Sequence, residues 1–192
     1  MSKDFAALHI IQKQCDANNI TNPLKDYLQR SFNLICQIQA HNDCLSTTVA
    51  LFSLCRMNDI DAKICYGLCE TDRGRDFYHA WLEIEGKIID LAIYGNLHFS
   101  PFHLEASCSD PVVMESYDYK PIHYGKFEFD GDWSGAAISI VDKLTIKDYL
   151  KAAPQDGMIK YICRIMDKTP TASLKQEIYE AVGDTRFVDF KE

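Results

Sequence analysis

From Phe77 to Ile93 the chain reads F-Y-H-A-W-L-E-I-E-G-K-I-I-D-L-A-I, two runs rich in Ile, Tyr, Phe and Trp with only Glu85-Gly86 between them. The pattern predicts two strands, Phe77 to Ile84 and Lys87 to Ile93, joined by a short hairpin and therefore antiparallel. It also sets a carboxylate, Asp90, inside a near-continuous apolar run, where an unpaired charge is costly to bury. A hairpin centred on Glu85-Gly86 brings Asp90 beside Trp81 or Leu82 and within a diagonal step of His79. The histidine of the facing strand is its expected partner.

Around this hairpin the period of the apolar residues changes. Ala62 to Leu68 reads as a further strand, followed by the polar loop T-D-R-G-R-D from Thr71 to Asp76. Ahead of it, Cys44 to Met57 directs Leu45, Val49, Phe52, Leu54 and Cys55 inward and reads as a buried or half-buried helix. Asn42 and Asp43 stand where an N-cap belongs, and Asn58-Asp59 supply the turn out. Phe5, Leu8, Ile11 and Cys15 mark a first helix, broken by Asn18 and Asn19. A second starts near Thr21 or Asn22 with Pro23 at its first position and runs to Cys36, leaving Gln37 to Asp43 as a loop. Tyr94 to Pro121 reads as irregular, punctuated by Pro101, Pro111 and Pro121, and Ile122 to Phe129 as one more strand. Beyond a turn at Asp130-Gly131-Asp132, helices are expected over Ile146 to Ala152, Met158 to Met166 and Ser173 to Val182. A helix followed by an antiparallel sheet is α+β order, not a repeating βαβ pattern.

A formal charge of −8 without any Lys/Arg-rich run argues against nucleic acid or an anionic membrane as partner. No apolar run approaches the roughly 18 residues of a membrane span. Met1 to Ile10 lacks the apolar core and small-residue cleavage site of a signal peptide. The expected compartment is the cytoplasm, the alternative being export by a route that leaves no N-terminal mark. Eight cysteines, Cys15, Cys36, Cys44, Cys55, Cys65, Cys69, Cys108 and Cys163, include no C-x-x-C pair. They are read as reduced thiols, seven of them small hydrophobes.

The exception is Cys44. A free thiol, with a pKa of about 8.5, is only slightly ionised at neutral pH. A helix N-terminus lowers that value, and a neighbouring imidazole accepts the proton. Cys44 alone among the eight stands at the start of an expected helix, directly after a polar loop; Cys55 sits at the wrong end of the same helix. With His79 and Asp90 in one hairpin, the parts of a Cys-His-Asp unit are present.

The stretch C-L-S-T-T-V-A-L-F-S-L-C-R-M-N-D-I-D-A-K, followed by Y-H-A-W-L-E-I-E-G-K-I-I-D-L, resembles the transglutaminase-like superfamily over about Asn42 to Asn96. The resemblance implies Cys44, His79 and Asp90 as the triad, and a papain-like core of one helix against an antiparallel sheet. Residues 1–130 are expected to form the catalytic core with its N-terminal helices, and 131–192 a helical extension packed on it. Two positions depart from the pattern. Leu45 stands where many relatives carry an aromatic residue, and Asp43 sets a negative charge before the cysteine. The second oxyanion donor is unassigned, and no spacing chooses among the upstream amides of Gln37, Gln39 and Asn42; Gln39, His41, Asn42 and Trp81 are the candidates for the oxyanion site or substrate cleft.

His98 and His103, with Cys108 nearby, have Pro101 between the histidines and fit no common metal site, so no metal and no cofactor is expected. Three functions fit the triad. A hydrolase opens an amide of a peptide, protein or small molecule through a thioester; an acyltransferase passes the same acyl group to an amine; a binding module keeps the fold without turnover. Hydrolysis of a narrow substrate is the favoured reading.

Overall fold

The Glu85-Gly86 turn forms as the sequence implies: both residues have positive φ, 52° and 72°, as a two-residue hairpin requires. The computed structural model describes residues 3–101, 104–108, 110–129 and 143–191, with side chains from His9 onward. Its order is α1 (Lys3–Ala17), α2 (Leu24–Ile38), α3 (Cys44–Arg56), β1 (Lys63–Thr71), β2 (Asp76–Ile84), β3 (Lys87–Asp90), α4 (Ala92–Phe99), β4 (Val112–Glu115), β5 (Ile122–Tyr124), α5 (Ile146–Ala152), α6 (Gly157–Met166) and α7 (Ala172–Val182). The architecture is α+β, with an antiparallel sheet in the order β4-β3-β2-β1-β5. Leu82 pairs with Ile89 and Lys63 with Glu83, so β2 lies at the middle of the sheet.

Several expectations change. The strand expected over Ile122 to Phe129 ends at Tyr124, because the chain turns there with the Glu128 N–H donated to the Gly125 carbonyl, and β1 runs past Leu68 to Thr71. α2 continues to Ile38, and Pro23 precedes its first residue, which leaves only Gln39 to Asp43 as the loop before α3. The third strand stops at Asp90 instead of Ile93, because the Asp90 carboxylate accepts the Ile93 N–H at 3.0 Å and turns the chain into α4. The stretch read as irregular thus holds a helix, and also β4, whose four residues between prolines are too few to show a period. The expected turn at Asp130-Gly131-Asp132, and with it the boundary near Gly131, lies outside the described residues.

The sheet is curled, and its two faces bury different sets. On the convex side Ile64, Tyr66, Ala80, Leu82 and Ile84 join α3 in the larger core. On the concave side Cys65, Cys69, Trp81, Ile88, Ile93, Val112, Ile122 and Tyr124 make a second cluster. The curl is measurable: three inter-strand steps separate β5 from β3, about 14 Å in a flat sheet, yet the Tyr124 hydroxyl lies 2.8 Å from Asp90. β5 passes so closely over β1 that a Cβ on Gly67 would stand 2.0 Å from the Gly125 carbonyl oxygen. Helix α3 is buried continuously from Thr47 to Cys55, with β2 on one side and α2, α6 and α7 on the others. That explains why its sequence is apolar almost all round.

Candidate active site

Three elements meet at the N-terminal end of α3. Cys44 is its first residue and is half-buried; the Asp43 side chain, at the N-cap position, makes no capping hydrogen bond. The N–H groups of the first turn are therefore not taken up by that carboxylate. His79 extends from β2 toward the cysteine, and its imidazole lies within hydrogen-bonding reach of the thiol. Its Nε2 is 2.7 Å from Asp90 Oδ2, with both side chains almost fully buried. Asp90 also accepts from the Tyr124 hydroxyl at 2.8 Å and, through its other oxygen, from the Ile93 N–H. Three donors for one carboxylate offset the cost of burying it in an apolar strand.

The electrostatics follow from these contacts. Burial alone would raise the Cys44 pKa, but the His79 charge and hydrogen bond, with a backbone hydrogen bond at Ala80, outweigh it and the value falls. Burial alone would lower that of His79; the charges of Asp90 and Cys44, and hydrogen bonds to both, lift it instead. Both directions run toward the thiolate–imidazolium form of the pair. Burial drives every other resolved thiol shift upward, Cys55 and Cys65 to about 12 and Cys15 to about 11. Burial pushes up the carboxyl of Asp43, the residue before Cys44, and the His41 charge partly opposes it.

The remaining sequence candidates are dispersed. Gln39 ends α2 in a left-handed conformation with its side chain exposed, and His41 is exposed with Nδ1 3.3 Å from the Gln39 carbonyl oxygen. Asn42, also left-handed at φ 59°, borders a cleft of about 310 Å³ with Arg75, Phe77, Tyr78, Asn96 and Leu104. Trp81 is not a cleft residue. It is fully buried on the concave face, its Nε1–H donated to the Tyr117 hydroxyl at 3.1 Å, because the curl closes over it. His98 lies tilted against Tyr94, ring centroids 4.2 Å apart, and His103 lies outside the described residues. Among the described residues no group of three or more His, Cys, Asp or Glu side chains converges as a metal site.

Two residues of the site carry no sequence signal of their own. Tyr124 arrives through the curl. Asn96, on the second turn of α4, accepts the Asn42 N–H at 2.9 Å with Oδ1 and places Nδ2 3.3 Å from His79 Nδ1. A polar residue in an apolar helix, G-N-L-H-F, was the only hint.

Residues 14–103 match the family model of the transglutaminase-like superfamily. The matched segment, under half of the chain, runs from α1 past the end of α4 and contains Cys44, His79, Asp90 and Asn96. That superfamily includes thiol acyl-transfer enzymes. No curated protein and no solved structure matches the chain. Among the described residues no helix is long and apolar enough to cross a membrane.

Proposed function

We propose that the protein is a thiol enzyme with a papain-like core that transfers an acyl group from an amide through a thioester on Cys44, with water as the usual acceptor. The observation that carries the reading is the buried 2.7 Å contact between His79 and Asp90 at the ring nitrogen other than the one left for Cys44. In this scheme the Cys44 sulfur attacks the amide carbon while its proton passes to His79 Nδ1. The developing oxyanion faces the N-terminus of α3, where the Cys44 N–H is the nearest donor. The amide nitrogen takes the proton back from His79 and leaves as an amine, or as ammonia from a side-chain amide. A water molecule then gives its proton to the same imidazole and opens the thioester. Asp90 keeps Nε2 protonated throughout and stabilises the imidazolium.

The 310 Å³ cleft beside Asn42, Phe77 and Asn96 is the proposed acyl-donor site, a size suited to one side chain or a small amide. Transfer to an amine uses the same thioester and differs only in what attacks it. Intact-mass analysis after incubation with glutamine-containing peptides, with and without a primary amine, separates these outcomes. A mass gain of about one unit on the peptide marks deamidation, and an amine adduct marks transfer. Peptide unchanged under both conditions across a diverse library, with binding retained, favours a module without turnover.

A further inference from the structure

The Asn96 carboxamide has its orientation fixed. The Asn42 backbone N–H can only donate, so the atom 2.9 Å from it is the amide oxygen, and the NH2 group necessarily faces His79 Nδ1 at 3.3 Å. On the other side of the ring, Asp90 can only accept, so Nε2 carries the proton. In the neutral ring Nδ1 is therefore a lone pair, and it receives an N–H from Asn96. Once Nδ1 takes the Cys44 proton, two N–H groups point at each other across the same gap. Asn96 thus opposes the proton transfer that Asp90 promotes. It is almost fully buried yet borders the cleft, where an entering amide can draw its NH2 group away.

We propose that Asn96 is a positioning residue whose NH2 group, by favouring an unprotonated Nδ1, keeps the thiolate–imidazolium population of the resting Cys44–His79 pair below what Asp90 alone would give, until substrate occupies the cleft. The inference rests on the reading of Cys44 and His79 as an acid–base pair. The groups that face the ring from the surrounding elements are Cys44 on α3, Asp90 on β3, Asn96 on α4 and the Phe77 ring on β2, 5.5 Å away. Tyr124 on β5 acts on it through Asp90, and Cys69 on β1 lies within electrostatic range of both Asp90 and Cys44. Only Asn96 offers an N–H to Nδ1 among these.

The test is the pH dependence of Cys44 alkylation in the full chain, together with the His79 imidazole nitrogen shifts read by NMR. In Asn96→Ala the acid limb of alkylation moves to lower pH and the rate at mildly acidic pH rises about 2- to 10-fold, the effect of one lost hydrogen bond. His79 deprotonation moves to higher pH by the same amount. A limb that stays put or moves up, in a protein that melts normally, overturns the proposal. If Asn96→Ala does not fold, Asn96→Asp keeps the acceptor for Asn42 while facing Nδ1 with an acceptor. Its His79 deprotonation must then rise, and an unmoved titration is equally fatal. The two readings fail differently. An ordinary thiol profile in the wild type, unchanged by His79→Ala, removes the thiol-enzyme reading, whereas an activated wild type with an indifferent Asn96→Ala removes only this inference.

Discussion

Asp90 is bound by three donors of different kinds, and that decides how the site should respond to mutation. His79→Ala removes one of them but leaves Tyr124 and the Ile93 N–H, so the chain should fold. Activity should nonetheless fall by about 10²- to 10⁴-fold, since the thiolate and the leaving-group proton both depend on the imidazole. Cys44→Ala should abolish turnover with little change in melting. Asp90→Asn should retain more activity than either, since it keeps the shape while presenting an N–H where Nε2 needs an acceptor. Kinetics and thermal melts of the three variants on one substrate check the ranking, and full activity in Cys44→Ala would end the thiol mechanism. The proximity of His79 and Asp90 was legible because a two-residue turn fixes register, and one face of each strand must be buried. Tyr124 and Trp81 were not. Their positions depend on how far the sheet curls, which no alternation of residues records, and the same curl that delivers Tyr124 to Asp90 seals Trp81 away from the cleft.

At the level of elements, α4 ties the site together. Its start is fixed by Asp90 and its second turn by Asn96, and between them Gly95 lets it lie against the loop before Cys44. A Cβ there would stand 2.1 Å from the Ala40 carbonyl oxygen. Gly95→Ala must push α4 and the loop apart, breaking the Asn42–Asn96 hydrogen bond. A loss of about 1–3 kcal/mol in stability is expected, the usual cost of overpacking, with a disproportionate loss of activity. Denaturant melts beside kinetics check this; normal activity at unchanged stability would mean that the contact relaxes freely. The sequence hid this helix for a physical reason. Its N-cap Leu91 and first residues Ala92 and Ile93 are apolar and partly β-branched, and they continue the pattern of β3 without a break. What stops the strand is the Asp90 side chain bonding to a backbone N–H, and a single residue cannot announce which of its two roles it plays. Helix α3 was plain by contrast, with its polar entry loop and its long apolar run.

Across the whole molecule, the C-terminal helices supply one wall of the core that holds α3. Ile159, Ile162, Ile165, Ile178, Val182 and Phe187 are buried to within 1% of full burial. At about 1.5–3 kcal/mol each, their combined burial rivals the 5–15 kcal/mol by which a domain is stable at all. A chain cut after residue 142 should therefore fail to give a cooperative melt, and a sharp transition from it would show that the remaining helices stand alone. A second prediction concerns acid. Glu83 is mostly buried beneath the concave face, and burial alone would raise its pKa. Hydrogen bonds from Lys126 at 2.7 Å and Tyr117 at 2.6 Å reverse this and lower it. A depressed folded-state value stabilises above the unfolded carboxylate range and loses that contribution as pH falls through the folded value. Wild-type stability should thus drop on acidification below about pH 4.5 more steeply than that of Glu83→Gln, as read by melts across pH; parallel curves would contradict the assignment. The most direct test of the whole account is limiting iodoacetamide at mildly acidic pH followed by peptide mapping, on wild type and His79→Ala. Cys36, Cys44 and Cys108 are all half-exposed, so access alone does not choose among them. Cys44 should be labelled first in the wild type and lose that lead in His79→Ala. Preferential labelling of Cys36 or Cys108 in the wild type would contradict it.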